Sequence, residues 1–250
     1  MGDGGRRLRL GGLALAFALL SALPAAAEEL DQPKFAEGDV WLYATLRKTK
    51  DVVKEGSVEI SFTRAQGERM MIAAKEPGST RPPVERLTPI DWSRVRSVNG
   101  VETAVNQPLS FPLALGKSWR VDYTEADPSP QFSSEHDEIT YKVVDWETVK
   151  TPAGEFKALR IEGSGTWTSE IPERVFDNSA IAKTSPNAAV TSTGKTVVAD
   201  KKVTGRIYRM YDYVPSVKRW VKLLEESYGA SGEVTFSYSE ELKDFHPGGA

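Results

Sequence analysis

The sequence predicts an all-β protein: a single antiparallel meander sheet, strongly curved into a partial barrel or sandwich. Three observations carry that prediction. Apolar and polar residues alternate with period two over most of the chain. Glycine- and asparagine-containing turn signals fall between the alternating runs. After the first 27 residues, no window sustains an apolar stripe of helical period.

Alternation implies half-buried antiparallel strands, because successive side chains of a strand point to opposite faces. "SVEISF" sets Val58, Ile60 and Phe62 against Glu59 and Ser61, and "EVTFSYS" sets Val234, Phe236 and Tyr238 against Thr235, Ser237 and Ser239. "EITYKVVDW" repeats the pattern less cleanly, through Ile139, Tyr141 and Val143. In order, the runs predict strands near 39–48, 57–65, 68–75, 85–98, 101–105, 118–125, 137–149, 155–168 and 203–213, then a pair within 217–240. "VKRWVKLLEES" joins them as a strand, since Val217, Arg219, Val221 and Leu223 also alternate.

Turns separate these runs. Asn99-Gly100 suits a two-residue hairpin turn in which both positions take positive φ. In Thr151-Pro152-Ala153-Gly154, Pro152 suits the second position of a β-turn and Gly154 tolerates positive φ, so this stretch reads as a hairpin corner rather than a reactive loop. "EPGSTRPPV" (76–84) and "ADPSPQFSSEH" (126–136) read as loops. Residues 177–202, poor in aromatics and rich in Ala, Ser, Thr and Asn, read as a flexible excursion with at most a weak strand at Thr196 to Val198. The predicted organisation is one β-rich domain over 28–245 and a disordered tail at 246–250.

The first 27 residues read as a secretory signal peptide. Arg6, Arg7 and Arg9 precede an apolar run from Leu10 to Leu23, and Ala25-Ala26-Ala27 offers a cleavage site near Ala27. Its removal takes three arginines and Asp3, leaving 29 basic and 34 acidic residues, a net charge of −5. That balance disfavours nucleic acid as a partner. The chain has no cysteine, which excludes disulfides, thiolate metal sites and cysteine nucleophiles. No later apolar run is long enough to span a membrane. The expected setting is the periplasm or the outside of the cell, in soluble form.

Catalytic signatures are sparse. Only His136 and His246 are present. Glu135 and His136, in "EHDE", point to opposite faces of an alternating strand, so this run reads as a solvated charged edge. "TSTGKT" lacks the first glycine of a phosphate-binding loop, because Ala189 stands there. "EGSGTW" lacks the spacing of a nucleophile elbow. No cofactor, metal ligand or catalytic residue is predicted. The aromatic residues are more suggestive, since Trp41 and Tyr43 alternate with aliphatic Val40, Leu42 and Ala44, making both strand faces apolar. Trp41, Tyr43, Trp119, Tyr123, Trp146 and Trp167 are therefore the candidate ligand-binding residues, on a curved sheet that takes a lipid or another apolar molecule. Plentiful carboxylates and tryptophans keep a second reading open, a carbohydrate-binding or carbohydrate-acting protein. A third is a structural or interaction protein using a sheet edge.

Four segments in fixed order carry a resemblance: "EGDVWLYATL" (37–46), "FPLALGKSWRVDYT" (111–124), "VKTPAGEFKALRIE" (149–162) and "RMYDYVPSVKRWVKLLEES" (209–227). Together they resemble a group of uncharacterised exported bacterial β-rich proteins carrying a domain of unknown function, which share G-D-x-W-x-Y, F-P-L-x-x-G-K-x-W and T-P-A-G-x-F-x-A segments. The resemblance runs from about residue 35 to 240 and implies a secreted antiparallel β domain with a curved sheet. It implies no catalytic residues.

Overall fold

The computed structural model describes residues 1–2, 29–185 and 188–249, with side chains described outside 175–193. Apart from Met1 and Gly2, the expected signal peptide lies outside these residues. The strands are β1 (Val40–Thr49), β2 (Val52–Gln66), β3 (Arg69–Lys75), β4 (Val84–Pro89), β5 (Arg94–Val98), β6 (Val101–Asn106), β7 (Ser118–Ser129), β8 (Phe132–Thr151), β9 (Gly154–Ile171), β10 (Arg174–Ser185), β11 (Ala188–Val198), β12 (Lys201–Val214), β13 (Arg219–Tyr228) and β14 (Val234–His246). Among the described residues there is no helix.

Ten strands form one sheet in the order β4-β3-β2-β1-β14-β13-β12-β9-β8-β7, and every described pairing is antiparallel. The sheet is not closed into a barrel: β4 and β7 are its two edges. The first and last strands meet inside it, where β1 pairs with β14. Beyond the sheet, β10 and β11 pair with each other and extend the β9–β12 ribbon, so the strand expected at Thr196 to Val198 falls within β11.

Because β4 and β7 are opposite edges, the chain between them must cross the full width of the sheet. Residues 90–117 do so as a strap over one face, with the β5–β6 hairpin in their middle. Trp92 meets Trp41 and Trp220 at ring separations of 5.4 and 6.0 Å, and Phe111 meets Tyr213 at 5.8 Å. Leu109 and Leu113 are fully buried, and Leu113 exchanges both backbone hydrogen bonds with Leu30. Burying a ring such as Trp41 or Tyr43 removes about 150–250 Å² from water, roughly 4–6 kcal/mol as an upper figure. The core is this face of the sheet and the strap across it.

Local chemistry explains where the strands stop. The run predicted as one strand over 85–98 is broken. Pro89 ends β4, Trp92 takes φ 62°, and the Asp91 carboxylate accepts a hydrogen bond from the Ser93 N–H, a turn that strand geometry cannot accommodate. Residues 126–136, read as a loop, instead lengthen β7 and β8 around a short corner. Asn99 and Gly100 take φ 50° and 83°, as the hairpin turn requires. Thr151 pairs with Gly154, whose φ of 135° lies where only glycine is unstrained. Gly248, within the segment read as a disordered tail, donates from its N–H to Asp39 Oδ1 at 2.9 Å.

Candidate functional site

Among the described residues, two polar clusters lie on the strapped face, one covered by the strap and one at an open cleft. The first lies under the strap. Glu225, only 4% exposed, accepts from Arg94 Nη2 at 2.9 Å, from Asn106 Nδ2 at 2.8 Å and from the Tyr211 hydroxyl at 2.8 Å. The Tyr141 hydroxyl donates to Asn106 Oδ1 at 3.1 Å. Burial first, and then the Glu225 charge, push the Tyr211 phenol far above its ordinary pKa. Nearby, Glu240 accepts from Trp220 Nε1 and the Tyr238 hydroxyl at 2.8 and 2.9 Å. Arg219 reaches Glu240 at 3.3 Å and stands 4.3 to 4.7 Å from the ring centres of Trp220, Trp92 and Tyr43. Its Nε and Nη1 have no hydrogen-bond partner, and the three ring faces take their place. These groups hold the strap to the sheet.

The second cluster lines an open cleft of about 250 Å³ on β8, β9 and β12, with Phe132, Ile207, Ser227 and Thr235 at its margins. Strand register builds it. Tyr123, Asp137 and Trp167 face one another across β7, β8 and β9, and Glu135 faces Ser169. Opposite Trp167 on β12 is Gly205, where a β-carbon would stand 2.5 Å from the indole. Glycine there lets the ring lie across the strand, with its Nε1 donating to Tyr228 O at 2.9 Å.

The acidic groups are partly paired. The Tyr123 hydroxyl donates to Asp137 Oδ2 at 2.6 Å, and Ser169 Oγ donates to Glu135 Oε2 at 3.0 Å. Arg209 is fixed by Nη1 donating to Tyr208 O and Glu226 O, at 2.9 and 2.7 Å. Among the described residues, Asp137 Oδ1 and Arg209 Nε, both buried, have no hydrogen-bond partner; Arg209 Nε stands 3.9 Å from Glu225 Oε2, an ion pair that joins the two clusters. Burial raises the Asp137 and Glu135 carboxyls above the usual range; the Tyr123 bond opposes the rise at Asp137, the Ser169 bond opposes it at Glu135, and the Asp137 charge adds to it there. Both carboxylates stand two residues apart on one strand, about 7 Å along it, and so form one wall of the cleft. Glycoside hydrolysis needs carboxyl groups flanking the bond from two sides, which a single wall does not supply.

The six aromatic candidates separate into three groups. Trp41 and Tyr43 have no exposure at all, and each donates to backbone at 2.7 Å, to Val217 O and Trp220 O. Trp119 stacks on Tyr141 at 5.6 Å and donates to Gln107 O of the strap, while Trp146 carries Lys157 Nζ over its ring at 4.8 Å. Only Tyr123 and Trp167 come together, around Asp137. Glu135, Asp137, Ser169 and Arg209 lie outside the six aromatic candidates. Their signal was parity: Glu135 and Asp137 share a face with Ile139, Tyr141 and Val143, which makes them acids on an inward face.

On the opposite face of β7 and β8, donor atoms of Asp122, His136 and Glu138 lie within 4.8 Å of one another. Arg120 bridges this group, reaching Asp122 at 2.5 Å and Glu138 at 3.1 Å, and so supplies the positive charge the two carboxylates share.

No family model matches the chain, and no curated protein matches it. Among solved structures, a candidate lipoprotein from Parabacteroides distasonis ATCC 8503 is similar at 13% identity, over 88% of this chain and 100% of that one, with a TM-score of 0.40. A candidate exported protein with a YmcC-like fold from Bacteroides fragilis NCTC 9343 is similar at 16% identity, over 87% and 99% of the two chains, with a TM-score of 0.36. Both similarities are too remote to transfer a property to this chain.

Proposed function

We propose that this is an exported, non-enzymatic binding protein that holds a carbohydrate in the cleft formed by Glu135, Asp137, Trp167 and Arg209. One observation carries the reading: among the described residues Asp137 Oδ1 lacks a hydrogen-bond partner at an open cleft, beside the Trp167 indole and the Arg209 side chain, whereas both Glu225 oxygens under the strap accept hydrogen bonds. Sugars supply hydroxyl groups that donate to carboxylates and accept from guanidinium, and C–H faces that lie on an indole. The cleft is smaller than the roughly 300–1,000 Å³ of drug-sized pockets, which suits one ring of a glycan. Export rests on the leader-like residues 1–27. An apolar ligand on the aromatic face would have to displace the strap, because Trp41 and Tyr43 are already sealed.

The test is calorimetric titration of the protein with a panel of neutral and acidic monosaccharides and short glycans. The expected result is saturable binding that disappears in Trp167→Ala and Asp137→Asn and survives in Trp146→Phe. Absence of saccharide binding, or binding indifferent to both cleft substitutions, contradicts the proposal.

A further inference from the structure

Two short stretches far apart in sequence share a composition: "KTKDVVK" at 48–54 and "KTVVADKK" at 195–202. Each places a valine pair among lysines. The valines are open to solvent, Val52 and Val53 at 57% and 66%, Val197 and Val198 at 57% and 46%. Single exposed valines are ordinary; two lysine-flanked pairs are a pattern.

The topology brings the pairs toward one end of the molecule, Val52 and Val53 at the sheet's end there and Val197 and Val198 on the ribbon that runs beyond it. At that end β1 finishes at Thr49 beside Phe236, Phe236 of β14 is beside Ser227, and the end of β13 is beside Arg206 of β12. From Arg206, β12 continues back to Lys201, and the ribbon resumes with Val198 paired to Arg174. Val234, 48% exposed, opens β14 at the same end.

The β1–β2 corner is two-sided. Val52 pairs with Thr49 and Lys54 with Arg47 on one face, while Val53 pairs with Lys48 on the other. Each face of the corner thus carries a valine beside a cation. Lys48, Lys54 and Lys201 form no ion pair among the described residues. Residues 47–55 hold four cations (Arg47, Lys48, Lys50, Lys54) against Asp51 and Glu55, and 195–202 hold three lysines against Asp200, on a chain of net charge −3.

We propose that this end of the molecule docks on the surface of an anionic lipid bilayer, with the two valine pairs in the headgroup boundary and the lysines on lipid phosphates. Neutral valines gain by leaving water, and long lysine stems let the ammonium groups remain among the headgroups. Each cation near an anionic surface strengthens binding about fivefold. Several weak contacts acting together give reversible, salt-sensitive attachment.

The experiment is flotation of the exported protein with phosphatidylcholine–phosphatidylglycerol vesicles and with pure phosphatidylcholine vesicles. The expected result is flotation with the anionic vesicles alone, reduced by salt. Lys48→Gln with Lys54→Gln should weaken it about 25-fold. Val52→Asp with Val53→Asp should abolish it with no change in thermal midpoint, since these side chains pack against nothing that folding needs. Equal flotation with both vesicle types, no flotation with either, or flotation unchanged by either pair of substitutions overturns the proposal.

Discussion

The strapped centre and the open cleft occupy the same face of the same sheet and draw on the same residue types, yet they are finished differently. Under the strap, Glu225 has three donors and Trp41 and Tyr43 spend their polar atoms on backbone. In the cleft, the carboxylate of Asp137 has one satisfied oxygen and one without a hydrogen-bond partner among the described residues, while Arg209 Nε meets its counter-charge only at 3.9 Å, on Glu225. Buried polar groups are nearly always paired in folded proteins; the Arg219 nitrogens left without hydrogen bonds in the centre lie over aromatic rings, whereas Asp137 Oδ1 is a carboxylate oxygen left without one at an open cleft. Aromatic content alone does not discriminate, because both regions are rich in it.

Substitutions sharpen the contrast, and the largest effect is expected in the centre. Trp41→Ala removes a sealed ring and its bond to Val217 O, and should cost about 3–5 kcal/mol in denaturant unfolding. Glu225→Ala leaves Arg94, Asn106 and Tyr211 facing an empty position, at a cost of about 3 kcal/mol by the same measurement. Trp167→Ala in the cleft should cost only about 1–2 kcal/mol, since its ring is half-buried, while eliminating saccharide binding. A loss as large as that of Trp41→Ala would make Trp167 a core residue and remove the contrast.

The smallest effect carries a sign. Burial raises the carboxyls of Glu135 and Asp137, so between their ordinary values near 4.5 and 3.8 and their raised ones the folded state binds more protons than the unfolded state. Stability therefore falls as pH rises through that window, and the contribution is lost above it. Asp137→Asn removes one of the two titrations. Unfolding followed from pH 3 to pH 7 should show a shallower decline for the variant, a difference of less than about 1 kcal/mol. A steeper decline would mean that the folded state favours the charged carboxyl.

The fold was more legible in the sequence than the site. Period-two alternation, Asn99-Gly100 and Thr151-Pro152-Ala153-Gly154 are local signals, and the strands and corners they predict are present. The strap was not legible, because it follows from strand order: nothing local to Trp41 or Tyr43 says that residues 90–117 will cover them. Ser134 and Glu135 sat in a stretch read as a loop from its Pro and Ser content, which hid the continuation of β8 and the inward parity of Glu135 and Asp137. Arg209 joins them only through the β8–β9–β12 pairing, with a sequence separation of more than 70 residues.

The chain's six tryptophans give a residue-by-residue test of where a ligand sits. The measurement is the set of indole N–H resonances during a saccharide titration, assigned by single Trp→Phe variants. The Trp167 resonance should shift saturably while those of Trp41, Trp92 and Trp220 stay fixed. A ligand that moves Trp41 and Trp220 and leaves Trp167 unchanged would place binding under the strap and contradict the cleft.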